Sequence, residues 1–143
     1  MKKHLLFLFA FVIITVSAVA EMKTIQILYT SDEHGYIERN GANGGAAEMY
    51  QKWLMEDSIK TIPTLILSGG DNNTGPVISA ITKGKATVDV MNAMGYQCDV
   101  IGNHEIDFGQ DAFIEQCKIR NFPTLSANLQ VLKSCKIPSK YIQ

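Results

Sequence analysis

The chain has 143 residues, and its 13 basic and 14 acidic side chains give a formal net charge of −1. It has no basic stripe that could displace counterions from a phosphate backbone, so we expect no nucleic acid partner. A chain of this length forms one domain or part of one.

The first twenty residues have the pattern of an export signal. Two lysines precede an apolar run at residues 5–16, and Ala18 and Ala20 place small residues before a cleavage point at Glu21. This run is shorter than the roughly 20 residues needed to cross a membrane. We predict that residues 1–20 are a signal peptide and that the mature chain has no membrane span and is periplasmic, on the cell surface or secreted. A retained N-terminal anchor is the alternative.

The remaining chain alternates short apolar runs with segments of helical periodicity, which is typical of βαβ units in an α/β fold. The predicted strands are 24–30, 64–68, 99–101 and 124–127. The predicted helices are 45–58, 87–94 and 110–120, and Gly95 is placed as the stop of the second helix. The strand at 64–68 is almost continuously apolar, which favours a central strand covered on both faces.

Three of these strands run into turns that are rich in Asp, Asn, His and Gly. The turns are residues 31–35, 69–73 and 102–105. The carboxyl ends of parallel strands meet at one edge of a sheet, where ligands bind. We therefore expect side chains that are far apart in sequence to meet in one cleft.

Four residues in these turns are candidate metal ligands. Asp32 and His34 are two positions apart, so their side chains leave an extended backbone on the same side. Asp71 follows two glycines and has two oxygens that can bridge a pair of cations, while Asn103 offers a neutral carbonyl oxygen. This mixture of donors suits two divalent ions of the Mn, Fe, Zn or Co type rather than Ca.

His104 and Asp107 are candidate catalytic residues. His104 follows the proposed ligand Asn103 and remains free for proton transfer, and Asp107 is within reach of its ring if the turn is helical. A cationic imidazole beside a dimetal centre can protonate a leaving alkoxide or stabilise a transferring phosphoryl group. Each of the three turns alone also fits an ordinary turn, but their combination after successive strands favours a site.

The chain contains three cysteines, Cys98, Cys117 and Cys135. Their spacing is too wide for a CxxC metal site. A single disulfide with one free thiol and three buried thiols remain as alternatives.

These motifs resemble the calcineurin-like metallophosphoesterases. The segments YTSDEHG, GDNNTGP and GNHEIDFG, together with GGAAEM, VDVMNAMGYQ and LSANL, are similar to the exported 5′-nucleotidase and UDP-sugar hydrolase branch. The resemblance implies a dinuclear metal centre between two packed sheets flanked by helices, an αββα sandwich that hydrolyses phosphate esters. It implies that Asp32 and His34 bind the first ion, that Asp71 bridges both ions and that Asn103 binds the second. It also makes His104 and Asp107 the pair that stabilises the transition state.

The resemblance also implies that the chain is incomplete. The family completes its metal shell with three further histidines, whereas this sequence contains only His4, His34 and His104. We therefore interpret residues 21–143 as the N-terminal portion of the catalytic domain, a truncated βαβαβαβ half of the sandwich with little activity alone.

The expected function is exported hydrolysis of phosphoesters, with nucleotides as the substrate class. Hydrolysis of a cyclic nucleotide or a sulfur ester is an alternative, as is a non-catalytic fragment that binds a metal or a partner. The sequence leaves the oligomeric state open.

Overall fold

The computed structural model describes residues 22–56 and 58–129, which form an α/β fold. Four strands alternate with helices along the chain, as the hydrophobic pattern predicts. The strands are β1 (Gln26–Thr30), β2 (Thr64–Ser68), β3 (Asp99–Val100) and β4 (Thr124–Leu125). The α-helices are α1 (Gly45–Met55), α2 (Ser58–Thr61), α3 (Val77–Thr82), α4 (Lys85–Met94) and α5 (Gln110–Ile119), and a 3₁₀ helix spans Asn103–Ile106.

The strands are parallel, and their order is β1-β2-β3-β4. β1 pairs with β2 in the register Gln26 to Thr64, and β3 pairs with β4 in the register Asp99 to Thr124. A parallel bridge between Leu67 and Cys98 joins the two pairs. All four carboxyl ends therefore lie at one edge of the sheet.

The helices bury one face of this sheet. The hydrophobic core on this face contains side chains from α1 and α4 and from the segments that precede β3 and β4. Trp53, Tyr96 and Phe122 form a chain of ring contacts, with centroids 6.0 and 6.3 Å apart. The buried members of the cluster are Ala46, Met91, Met94, Tyr96 and Phe122. Burial of this apolar surface holds α1 and α4 against the strands.

The opposite face of the sheet is exposed within the described residues. Ile27 and Tyr29 of β1 are 55% and 64% exposed, and Leu65 of β2 is 39% exposed. The prediction that β2 is covered on both faces is therefore wrong for the described part of the chain. The apolar run of β2 reflects a strand with a helix-covered face and an uncovered apolar face.

The helices differ most from the sequence predictions at α1 and at α3. The helix predicted for 45–58 ends at Met55, because Glu56 adopts an extended conformation and a separate short helix, α2, begins at Ser58. The sequence pattern did not predict α3, which follows Pro76 and ends where Lys83 turns left-handed with a φ of 50°. Gly95, with a φ of 80°, ends α4 as predicted.

Some predictions concern residues outside the described ranges. The signal peptide at residues 1–20 and Cys135 are among them. Cys98 and Cys117 are half-buried free thiols, so they are not joined to each other. Among the described helices, none is long and apolar enough to cross a membrane.

Candidate metal centre

Two of the three polar turns are joined by backbone hydrogen bonds that continue the β1–β2 ladder. The Asp32 amide donates to the Gly70 carbonyl at 3.0 Å, and the His34 amide donates to the Asp71 carbonyl at 3.0 Å. The loop after β1 and the loop after β2 therefore run side by side beyond the strand ends. The turn sequences predicted this meeting from the rule on strand ends.

Three of the predicted ligands have left-handed backbone conformations. The φ angles are 59° at Asp32, 46° at His34 and 57° at Asp71, so the extended backbone predicted for Asp32 and His34 is wrong. Asp, Asn and His enter this region more readily than other residues with a side chain, but it is still uncommon. Such conformations cluster at functional sites, where the surrounding contacts hold them in place.

The side chains of His34, Asp71 and His104 converge on one point. One ring nitrogen of each histidine and one carboxylate oxygen of Asp71 all lie within 4.8 Å of one another. Asp32 is adjacent, because its Oδ1 lies 4.0 Å from Nε2 of His34. Among these four residues, the predicted ligands are one imidazole and two carboxylates, which suit a borderline divalent ion.

A hydrogen bond fixes which nitrogen of His34 can bind an ion. Its Nδ1 lies 3.2 Å from the carbonyl oxygen of Thr74, which can only accept, so Nδ1 carries the proton. In the neutral ring, the lone pair is then on Nε2, which lies 4.0 Å from Asp32 Oδ1. This arrangement is typical of histidines that ligate metals.

The loop after β3 brings His104 to the same place. Asn103 is exposed at the start of the 3₁₀ helix, and the following amide, that of His104, donates to Asp71 Oδ1 at 2.9 Å. The carboxylate of Asp71 thus contacts the third loop while it faces His34. The structure places all four predicted ligands on these three neighbouring loops, and their roles as ligands remain a prediction.

His104 and Asp107 form a direct pair. The 3₁₀ helix places Asp107 Oδ2 2.6 Å from His104 Nδ1, and the ring of His104 meets the ring of His34 edge-on with centroids 4.9 Å apart. The hydrogen bond to Asp107 raises the pKa of the His104 imidazole, although desolvation opposes the rise. The same bond lowers the pKa of the Asp107 carboxyl. The pair therefore favours a protonated ring beside the cluster; its catalytic role is not tested by the geometry.

Glu105 makes contacts that sequence reasoning did not assign to it. Its side chain is buried, with 1% exposure, and its carboxylate accepts three backbone amides from two loops. Burial raises the pKa of this carboxyl, and the backbone hydrogen bonds oppose the rise. A Glu three residues after Gly102 at the start of a helical turn is a capping-box signal, which could have identified one of these contacts.

The loops after β2 and β3 approach so closely that two glycines are required. A Cβ on Gly70, whose φ is 89°, would lie 2.6 Å from the carbonyl oxygen of Val100. A Cβ on Gly102 would collide with the carboxylate of Asp71. The glycines therefore permit the contact that brings Asp71 to His104.

A buried polar network supports the loop after β2 from below. The side-chain amide of Asn72 donates to Asp99 Oδ1 at 3.0 Å, and Asp99 Oδ2 lies 3.4 Å from Nη1 of Arg120. Asn72, Asp99 and the Arg120 side chain are each 1% exposed or less. The network thus links the C-terminus of α5, through β3, to the residue that follows Asp71.

Glu33, between two predicted ligands, lies away from the cluster. Its half-buried side chain lines a small cavity with Tyr36, Met49 and Tyr96 on the helix-covered side of the sheet. Desolvation by burial raises the pKa of its carboxyl.

Curated relatives of this chain are nucleotidases and UshA proteins. The chain is 40% identical over 112 residues to protein UshA of Yersinia enterocolitica, and 36% identical over 119 residues to the 5′-nucleotidase of Vibrio parahaemolyticus. The chain matches the 5′-nucleotidase branch of the calcineurin-like phosphoesterases. These alignments cover 73% and 78% of the chain but only 20% and 21% of the relatives. The chain thus spans about one fifth of the length of these members of the branch, and the resemblance stated from the motifs is confirmed.

Solved structures agree with this resemblance to the 5′-nucleotidase branch. The NAD nucleotidase of Haemophilus influenzae superposes with a TM-score of 0.70 at 29% identity, over 81% of this chain and 22% of that one. The calcineurin-like phosphoesterase YfkN of Bacillus subtilis gives a TM-score of 0.59 at 25% identity, over 69% of this chain and 35% of that one. No family model matches the sequence.

Proposed function

We propose that this chain belongs to an exported, metal-dependent phosphoester hydrolase that releases phosphate from nucleotides. The observation that carries the proposal is the convergence of His34, Asp71 and His104 within 4.8 Å at the carboxyl edge of a parallel sheet. The names of its relatives, 5′-nucleotidase and NAD nucleotidase, support nucleotides as the substrate class.

The predicted ligands divide between two divalent ions. Asp32 and His34 would hold the first ion, Asp71 would contact both, and Asn103 would hold the second. When bound, the pair of ions would neutralise and orient the phosphoryl group and activate water at neutral pH. The residues present fit this role, because imidazole nitrogens and the oxygens of carboxylates and amides are suitable ligands for Mn, Fe, Zn or Co.

His104 would supply the proton for the leaving oxygen. Its Nδ1 is bonded to Asp107, so the opposite nitrogen, Nε2, is the one that can hold a proton towards substrate. Because Asp107 raises the pKa of this ring, a larger fraction of His104 is protonated near neutral pH than for a free imidazole. Asp107 itself would orient the ring and balance its charge.

The exposed sheet face fits the half-sandwich arrangement that the family resemblance implies. Ile27, Tyr29 and Leu65 present apolar side chains on the face opposite the helices. In an αββα sandwich, a second sheet would cover such a face. The proposal therefore includes residues 21–143 as the N-terminal portion of a longer catalytic domain.

Metal binding and phosphate release test the proposed function together. Isothermal titration of the chain with Mn²⁺ should show binding that Asp71→Asn weakens, while Asp111→Asn, on α5, serves as a control. Phosphate release from nucleoside monophosphates should require Mn²⁺ and be slow, because three family histidines are missing from this sequence. The same assay on a reading frame that includes those histidines should be faster.

The alternatives give different results in the same assays. Hydrolysis of cyclic nucleotides or sulfur esters in preference to nucleoside monophosphates would replace the substrate class but keep the site. Metal binding without hydrolysis in the longer reading frame would support a non-catalytic binding module. Absence of metal binding in that longer protein would contradict the proposed function.

A further inference from the structure

The loop that contains Asp71 is joined to its two neighbouring loops in different ways. Backbone hydrogen bonds connect residues 32–35 to residues 70–72. Within the described part of the chain, no backbone-to-backbone hydrogen bond connects residues 69–73 to residues 101–105. The second junction depends on two carboxylates, those of Asp71 and Glu105.

Glu105 accepts two of the three hydrogen bonds that cross this junction, and it accepts a further one from Gly102 in its own loop. Its Oε2 accepts the amides of Asp71 at 2.9 Å and Gly102 at 2.7 Å, and its Oε1 accepts the amide of Asn72 at 2.8 Å. The third bond across the junction runs in the opposite sense, from the amide of His104 to Asp71 Oδ1. A single buried side chain thus holds the backbone of one ligand loop against the start of the other.

The burial of Glu105 is unfavourable unless these hydrogen bonds form. A buried carboxylate without a cation carries a large desolvation penalty, and Glu105 takes part in no ion pair among the described residues. An apolar side chain at this position would avoid that cost. The contacts to the ligand loops need a hydrogen-bond acceptor. A carboxylate provides one, and an apolar side chain does not.

We propose that Glu105 is a positioning residue of the metal centre. Its carboxylate fixes the loop of Asp71 relative to the loop of Asn103, and so sets the spacing of the ligands that the second ion needs. This role rests on the proposed function, because the spacing matters only if the loops bind metal. Loss of a partner that orients a ligand typically lowers metal affinity by about 10- to 100-fold.

The test uses Glu105→Gln, which keeps the shape of the side chain but replaces one acceptor oxygen with a donor. Glu115→Gln, an exposed position on α5, is the matched control. Two readouts are measured on the full chain: Mn²⁺ affinity by titration, and amide exchange by NMR in the metal-free protein. We expect Glu105→Gln to lower Mn²⁺ affinity by about 10- to 100-fold. We also expect faster exchange at Asp71, Asn72 and Gly102.

The exchange rates of the Val88 and Met91 amides, in the buried part of α4, show whether the variant loses stability throughout the fold or only at the junction. Their exchange should be unchanged in Glu105→Gln. Equal acceleration at α4 and at the loops would mean that Glu105 serves only folding, and would overturn the proposal. Wild-type Mn²⁺ affinity in Glu105→Gln would also overturn it. Failure of the wild-type chain to bind Mn²⁺ would instead count against the proposed function.

A second measurement covers the case in which Glu105→Gln does not fold. In the wild-type chain, diamagnetic Zn²⁺ should slow exchange at the same three amides, because coupling between ion and junction acts in both directions. Unchanged exchange at Asp71, Asn72 and Gly102 when Zn²⁺ is bound would overturn the proposal.

Discussion

The carboxylate of Asp71 has two sets of partners. One oxygen accepts the amide of His104, and the group as a whole faces the imidazole of His34. Because Asp71 stands in a left-handed backbone conformation, its side chain is directed by the loop as well as by its own rotamer. At the scale of single residues, the site is therefore built around this side chain.

Replacement of Asp71 by Asn should weaken both ions. Asn keeps an oxygen that can accept the amide of His104, so the loop contact survives while the charge is lost. We expect a fall in Mn²⁺ affinity of at least the ~10- to 100-fold that loss of an outer partner causes. Asp32 would contact only one ion, so Asp32→Asn should weaken only one of two binding events in calorimetric titration. Equal effects of the two variants would contradict the bridging role.

Replacement of His104 by Ala should separate catalysis from metal binding. If His104 handles the proton, turnover on nucleoside monophosphates should fall by about 10²- to 10⁴-fold, and metal content, measured by mass spectrometry, should stay the same. Asp107→Asn should give a smaller loss, since the ring remains. Because His104 lies close to His34 and Asp71, the metal content of this variant also tests whether His104 is a ligand. Stoichiometric loss of an ion in His104→Ala would make His104 a ligand.

Sequence reasoning identified the loops that meet at the site but not the contacts of Glu105. The meeting of the loops could be predicted because each follows an apolar run, and parallel strands bring those positions together. The hydrogen bonds of Glu105 depend on where the amides of Asp71 and Asn72 point after two left-handed residues, at Gly70 and Asp71. No periodicity in the sequence encodes that direction.

At the scale of elements, Tyr96 joins the end of α4 to β1. Its ring packs against Trp53 and Phe122, and its hydroxyl lies 2.8 Å from Oγ1 of Thr30, the last residue of β1. Burial raises the pKa of this phenol to about 12. The neutral phenol is therefore part of the contact that fixes the start of the first ligand loop.

This shift predicts how stability depends on alkaline pH. The unfolded phenol ionises near pH 10 and the folded one at about 12. The stabilisation is fully present below about pH 10 and is lost as pH rises towards the folded value. Urea unfolding at pH 8 and pH 11 should show a loss in the wild type that exceeds the loss in Tyr96→Phe by about 1 kcal/mol. Equal losses in the two proteins would show that Tyr96 is not the group responsible.

The sequence pattern did not predict helix α3, and there is a physical reason for this. It is six residues long and includes Val77, Ile78 and Ile81, and β-branched residues have low helix propensity. Val77 and Ile81 are 72% and 73% exposed, so they do not form an apolar stripe facing the core. Helices α4 and α5, whose buried positions recur at helical spacing, were predicted to within two residues at each end.

At the scale of the whole molecule, the α/β class and the order of elements followed from the alternation of apolar runs and helical segments. What the sequence did not reveal is which sheet face is covered. Leu65 and Leu67 are both apolar and lie on the same face of β2, and Leu65 is 39% exposed while Ile66 packs against the core. Coverage of a face depends on neighbouring elements, which periodicity within one strand cannot report.

The assembly of the site from three separate loops has a thermodynamic consequence. Residues 32, 71 and 103 are far apart along the chain, so the unfolded polypeptide offers an ion no comparable cluster. An ion that binds only the native state adds about 1.4 kcal/mol for each tenfold rise in its free concentration above the dissociation constant. The melting temperature should therefore climb with Mn²⁺ in differential scanning calorimetry, and an unchanged value in saturating Mn²⁺ would contradict this linkage. In Asp71→Asn the climb should begin at Mn²⁺ concentrations at least about 10- to 100-fold higher than in the wild type. The fraction of folded chains then depends on the metal concentration of the surrounding medium as well as on temperature.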